Sequence, residues 1–200
     1  MKKEELKKIR ELLIVVDMVN GFVREGAMAD PYIATIIPRI EKMVREFLNE
    51  DGHAVIFIKD NHEENASEFL RYPKHCVIGT SEADLVDELL PYEEYGYVYP
   101  KNSTSAIFAP NFLDDISKMD KLETVYGTGC CTDICVNNLV VPLQNYFDQE
   151  DRNVEIIVPQ DSVETYDAPF HKRDEWNNKA FDFMKQAGIK LVKTYKKEGM

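Results

Sequence analysis

Six short apolar runs recur along the chain: LLIVV at 12–16, AVIFI at 54–58, YGYVY at 95–99, ETVYG at 123–127, VEIIV at 154–158 and IKLVKTY at 189–195. Their apolarity is continuous rather than alternating and rich in β-branched residues, the pattern of strands covered on both faces. Between them, apolar residues at helical spacing predict helices over roughly 33–48, 82–90, 111–117, 132–147 and 173–187. Gly52 and Gly188 stand where the first and last of these should stop. Pro38 and Pro142 fall inside helical windows, so a late start of the first helix and a kink in the fourth are expected. Alternation of strand and helix along the whole length predicts an α/β fold: a three-layer α/β/α sandwich with a central, mostly parallel six-stranded sheet and right-handed crossovers. No repeat, linker or low-complexity stretch interrupts it, so residues 1–200 read as a single domain.

Composition narrows the partners. Hydrophobic residues make up 44% and charged residues 30%, ordinary for a chain that folds. With 36 acidic against 24 basic residues the formal net charge is −12, which disfavours nucleic acid and anionic lipid as partners. The apolar run behind the basic N-terminal stretch is only about five residues, far short of a membrane span and shorter than a signal-peptide core. A cytoplasmic location is therefore expected. Four cysteines in 200 residues, three of them clustered, do not make the framework of a disulfide-rich secreted domain, and reduced thiols are expected.

In open α/β sheets ligands bind beyond the carboxyl ends of the strands, so the residues that follow each apolar run carry the chemistry. Here they are Asp17, then Asp60 with His62, then Lys101, then Cys130, Cys131 and Cys135. Each has a bland reading: a turn carboxylate, a solvated loop, a surface lysine. Together, at one edge of one sheet, they form a candidate site.

If a helix begins at Thr132, Cys135 lies in its first turn, where free amides and the helix dipole favour a thiolate. Cys130 and Cys131 are adjacent, so their side chains point apart, and they lack the spacing of a zinc pair. They read as small apolar residues lining the strand-to-helix turn. A redox or zinc-cysteine module built on His75, Cys76 and the cysteine trio is the rival reading.

Four segments carry a family resemblance. IVVDMVNGF, YPKNSTSAIF and GTGCCTDICV are similar, in order and spacing, to the catalytic segments of the isochorismatase-like cysteine hydrolases, and DNHEENASEFLRYPKHCVIGT resembles the metal-binding segment of their nicotinamidase branch. The resemblance implies a catalytic triad of Asp17, Lys101 and Cys135. It also implies an oxyanion hole from the backbone amides of Cys131 and Cys135, a cis peptide between Cys130 and Cys131, and a metal site of Asp60, His62, Glu68 and His75. Glu64 or Ser67 competes with Glu68 for the third place.

Two imidazoles and two carboxylates suit zinc, iron or manganese. The implied activity is metal-dependent hydrolysis of a small aromatic amide, nicotinamide, to the acid and ammonia through a cysteine thioester, in NAD salvage; a different small amide or ureide is the alternative. Cys130, Cys131 and Phe22 are expected at the substrate, with a core role for Phe22 equally open. Tyr97 and Trp176 read as core or pocket wall, His53 and His171 as structural or solvated, and the charged ends of the chain as exposed. Members of such a family often associate, which leaves a homo-oligomer open.

Overall fold

The computed structural model describes residues 3–196. In chain order the elements are α1 (Lys3–Leu6), β1 (Glu11–Val16), α2 (Asn20–Val23), α3 (Ile37–Leu48), β2 (His53–Asp60), β3 (Tyr97–Lys101), α4 (Phe112–Ser117), β4 (Thr124–Cys130), α5 (Asn137–Gln149), β5 (Glu155–Pro159), β6 (Val163–Glu164), α6 (Arg173–Gln186) and β7 (Lys190–Val192). The strands form a parallel sheet of order β3-β2-β1-β4-β5-β7, and β6 pairs with β4 beyond the end of β5. The sheet has seven strands rather than six, because β6 contributes two residues, too few to leave an apolar run in the sequence.

Continuous apolarity in β1 is explained by cover on both faces. Leu12, Ile14 and Val16 join one core with Phe112 and Ile116 of α4, Leu139, Leu143 and Phe147 of α5, and Phe181 and Met184 of α6. Leu13 and Val15 join the other with Ile37, Ile40, Met43, Val44 and Phe47 of α3. Each such side chain contributes about 1.5–3 kcal/mol by leaving water. Pro38 sits in the first turn of α3 behind a 3-10 segment at Pro31–Ile36, the late start expected of it, and Pro142 is accommodated inside α5.

The helix expected over 82–90 is absent. Ala83, Leu85, Val86 and Leu89 are buried at helical spacing, yet their segment is a run of turns. Its backbone bonds outward instead: Val86 N donates to Met18 O (3.0 Å), Asp84 O accepts from Asn20 N (3.0 Å), and Val19 bridges Leu85 antiparallel. Tertiary pairing has overridden the local pattern. Part of the charged C-terminal end, 197–200, lies outside the described residues.

β1 and β4 lie side by side where the connections reverse direction, so their carboxyl ends open the crevice typical of this topology. Gly129 makes the approach close. Its φ is +105°, and a Cβ there would sit 2.0 Å from the Val16 carbonyl oxygen, so only glycine brings the cysteine turn against the end of β1.

Candidate active site

Three strand ends and one turn deliver the reactive groups. After β1 the chain turns at Asp17, whose φ of +52° is uncommon for a residue with a side chain. Asp17 Oδ1 accepts from the Asp60 amide (2.9 Å), and Oδ2 lies 2.8 Å from Lys101 Nζ. Lys101, at the end of β3, is also paired with the carboxylate of Asp60 at the end of β2, and its Nζ is 3.8 Å from Cys135 Sγ. Asp17, Asp60 and Lys101 are all essentially inaccessible to water.

Cys135 sits in the π-helical turn Thr132–Val136 that leads into α5, not in a regular first α-turn. The bond between Cys130 and Cys131 is cis, as the resemblance implied. Cys131 lines the cavity, whereas Cys130 is fully buried and its thiol donates to the Asp17 carbonyl (3.1 Å), away from the place expected for it at the substrate. Cys76, Cys130, Cys131 and Cys135 are free thiols in the structure.

Burial dominates the electrostatics. It lifts Asp17 to about 6, an effect only partly offset by Lys101 and reinforced by the neighbouring Asp60 charge. Burial opposes the charge on Lys101 too, but two carboxylates outweigh it and hold the ammonium well above its ordinary value. For Cys135 burial wins: the thiol is pushed well above its usual range despite Lys101. Burial therefore opposes the thiolate expected from the helix terminus, and Lys101 favours it.

Beside this group stand Asp60, His62 and His75, all buried, with ligand atoms within 4.8 Å of one another. His62 Nε2 is 3.5 Å from Asp60 Oδ1, and His75 Nε2 is 3.5 Å from Asp60 Oδ2. The outer nitrogens are occupied: His62 Nδ1 faces Asn102 Oδ1 at 2.9 Å, and His75 Nδ1 donates to the Pro73 carbonyl at 2.6 Å. Such outer partners aim the Nε2 lone pairs inward. His62 Nε2 is buried without a hydrogen-bond partner among the described residues. Two inward imidazoles converging on a carboxylate fit a divalent cation.

Glu68 is buried and lines the same cavity, but its carboxylate falls outside this three-residue cluster. Its competitor Glu64 is exposed and paired with Lys74. Phe22 is both core and wall: buried, with its ring 5.4 Å from that of His75, and lining the cavity.

The cavity holds about 420 Å³, its open mouth included, and Cys135, Asp60 and His75 line it together. Its remaining wall comes from Met28, Tyr72, Thr104, Ile134 and Tyr166. None of these was singled out from the sequence. Thr104 and Ile134 neighbour reactive residues and could have been found by proximity, whereas Met28 and Tyr166 come from loops with no periodic signal. Tyr97 lies at the sheet edge against the core and His53 packs on Phe47, both as expected. His171 is buried and structural, one of the two roles expected of it, and the half-buried Trp176 stacks on it outside the cavity wall, as described below.

The isochorismatase domain model matches residues 11–195, and the chain belongs to this family. Nicotinamidase 1 of Arabidopsis thaliana is 28% identical over 180 residues, 80% of this chain and 71% of that protein. The pyrazinamidase of Pyrococcus horikoshii, solved in complex with zinc, superposes with a TM-score of 0.74 at 28% identity, covering 92% of this chain and 98% of that one. N-carbamoylsarcosine amidase from Thermoplasma acidophilum superposes with a TM-score of 0.75 at 26% identity over 96% and 100%. No helix among the described residues is long and apolar enough to cross a membrane.

Proposed function

We propose that the protein is a metal-dependent nicotinamidase, hydrolysing nicotinamide to nicotinate and ammonia. The observation that carries this reading is the adjacency of two groups, Asp17, Lys101 and Cys135 beside the set of Asp60, His62 and His75, at one cavity that Cys135, Asp60 and His75 line. An amide is a poor electrophile and needs an activated nucleophile, a stabilised oxyanion and a protonated leaving group. Asp17 would take the proton of the Cys135 thiol as sulfur attacks the carboxamide carbon. The tetrahedral oxyanion would be held by the backbone amides of Cys131 and Cys135, each such donor being worth about 10²–10³ in rate in other acyl-transfer enzymes.

Asp17 then returns the proton to nitrogen, ammonia leaves, and an acyl thioester remains on Cys135. Water, giving its proton to Asp17, cleaves the thioester and restores the thiol. Lys101, charged throughout, would hold Asp17 and balance the developing negative charge. A value near 6 suits Asp17 to both accepting and returning a proton near neutrality. A divalent cation held by Asp60, His62 and His75, with Glu68 as a further ligand, would supply Lewis-acid binding of the pyridine nitrogen and so orient the ring.

The likeness to N-carbamoylsarcosine amidase supports a second reading, a ureide substrate. The histidine pair argues against it, since a substrate without a ring nitrogen leaves that set without a task. The test is ammonia release from nicotinamide and from N-carbamoylsarcosine by the wild type and by Cys135→Ala, with bound metal quantified in each. The nicotinamidase reading expects release from nicotinamide alone, lost in the variant with metal retained. Metal lost together with Cys135 would instead revive a zinc-cysteine module.

A further inference from the structure

Two residues from the reactive thiol, Asp133 faces away from the triad into a second buried group. Its Oδ1 accepts from Thr165 Oγ1 (2.5 Å), and its Oδ2 lies 2.8 Å from His171 Nε2. The His171 ring is the centre of a parallel stack, 3.9 Å and 7° from Tyr166 on one side and 4.7 Å and 9° from Trp176 on the other. His171 Nδ1 faces the Tyr166 carbonyl at 3.1 Å, and a tight turn at Ala168–His171 folds the chain back so that rings five residues apart can meet. Tyr166 lines the same cavity as Cys135, and Trp176 belongs to α6.

We propose that the Asp133–His171 pair is a positioning device for Tyr166: it ties the strap 165–173 to the nucleophile's own turn and so sets the aromatic wall of the cavity at a fixed place relative to Cys135. The strap's other anchorage supports this. Arg173 Nη2 pairs with Asp30 Oδ2 (2.5 Å), and the Asp167 amide donates to the same oxygen (3.0 Å), which fastens the strap to the loop that carries Met28, the neighbouring piece of wall. Asp133 is thus the only link of these that runs directly to the catalytic turn. A side chain acting this way changes ring binding more than chemistry, because it touches neither the thiol nor the scissile bond. Its effect on catalysis rests on the nicotinamidase reading.

The chain's single tryptophan, Trp176, reports the stack without any assay of activity. Asp133→Asn and the isosteric Thr165→Val, chosen because they preserve volume, are expected to raise the acrylamide quenching of Trp176 emission. With nicotinamide, His171→Ala and Tyr166→Ala are each expected to raise KM by ~3- to 10-fold, the scale of one lost aromatic contact, with kcat within about twofold. The double variant His171→Ala/Tyr166→Ala is expected to match Tyr166→Ala alone, since both changes act through one ring.

Unchanged quenching in both Asp133→Asn and Thr165→Val overturns the proposal, as do KM effects that multiply in the double variant or a loss confined to kcat. If the wild type releases no ammonia from nicotinamide, the nicotinamidase reading fails. The quenching experiment then still decides whether Asp133 holds the stack.

Discussion

Asp17 at the end of β1 and Asp60 at the end of β2 are both fully buried and both paired with Lys101, yet they are driven in opposite directions. Burial raises each. For Asp17 it prevails and the carboxyl sits near 6; for Asp60, Lys101 and then the two histidines overcome it and hold the carboxylate far below its usual range. One shared lysine is thus not what separates the two acids. Their other neighbours do: imidazoles stand beside Asp60, whereas the Asp60 charge itself adds to the rise at Asp17 and leaves Asp17 the acid suited to carry a proton.

That division can be broken most sharply by paired substitutions. Asp17→Asn is expected to lower kcat by about 10²–10⁴-fold with bound metal unchanged, the scale of a lost general base. Asp60→Asn should lose the metal itself. Kinetics and elemental analysis on both proteins check the pair, and equal metal loss in the two would dissolve the distinction. Removing the common partner, Lys101→Met, leaves two buried carboxylates facing each other and is expected to cost about 3–5 kcal/mol, read from denaturant or thermal unfolding. A smaller effect belongs to Asn102, which holds His62 Nδ1. Asn102→Ala should weaken metal affinity by about 10–100-fold, measured by chelator competition, and leave Cys135 chemistry intact in the metal-saturated protein.

The strand ends were legible because a parallel sheet forces two regularities on a sequence: continuous apolar runs, and reactive residues immediately after them. Asp17, Asp60, His62 and Lys101 follow those runs at once, and the structure brings them together. What was not legible depends on partners remote in the chain. The segment at 82–90 has helical spacing, but its Val86 amide goes to the Met18 carbonyl and its Asp84 carbonyl takes the Asn20 amide. The upward push on the Cys135 thiol follows from its burial, which no local motif records. Asp133 and His171 are 38 residues apart, and nothing in the intervening sequence announces their pairing.

Gly129 has a consequence beyond local geometry. With no room for even a methyl group between β4 and the Val16 carbonyl, the approach of the cysteine turn to the end of β1 is a contact between backbone atoms. Side-chain drift elsewhere in the core can alter stability or substrate range, but it has no purchase on that spacing. On the proposed reading, the gauge between acid and thiol is cut into the main chain, and a lineage could repaint the cavity walls without having to recalibrate it.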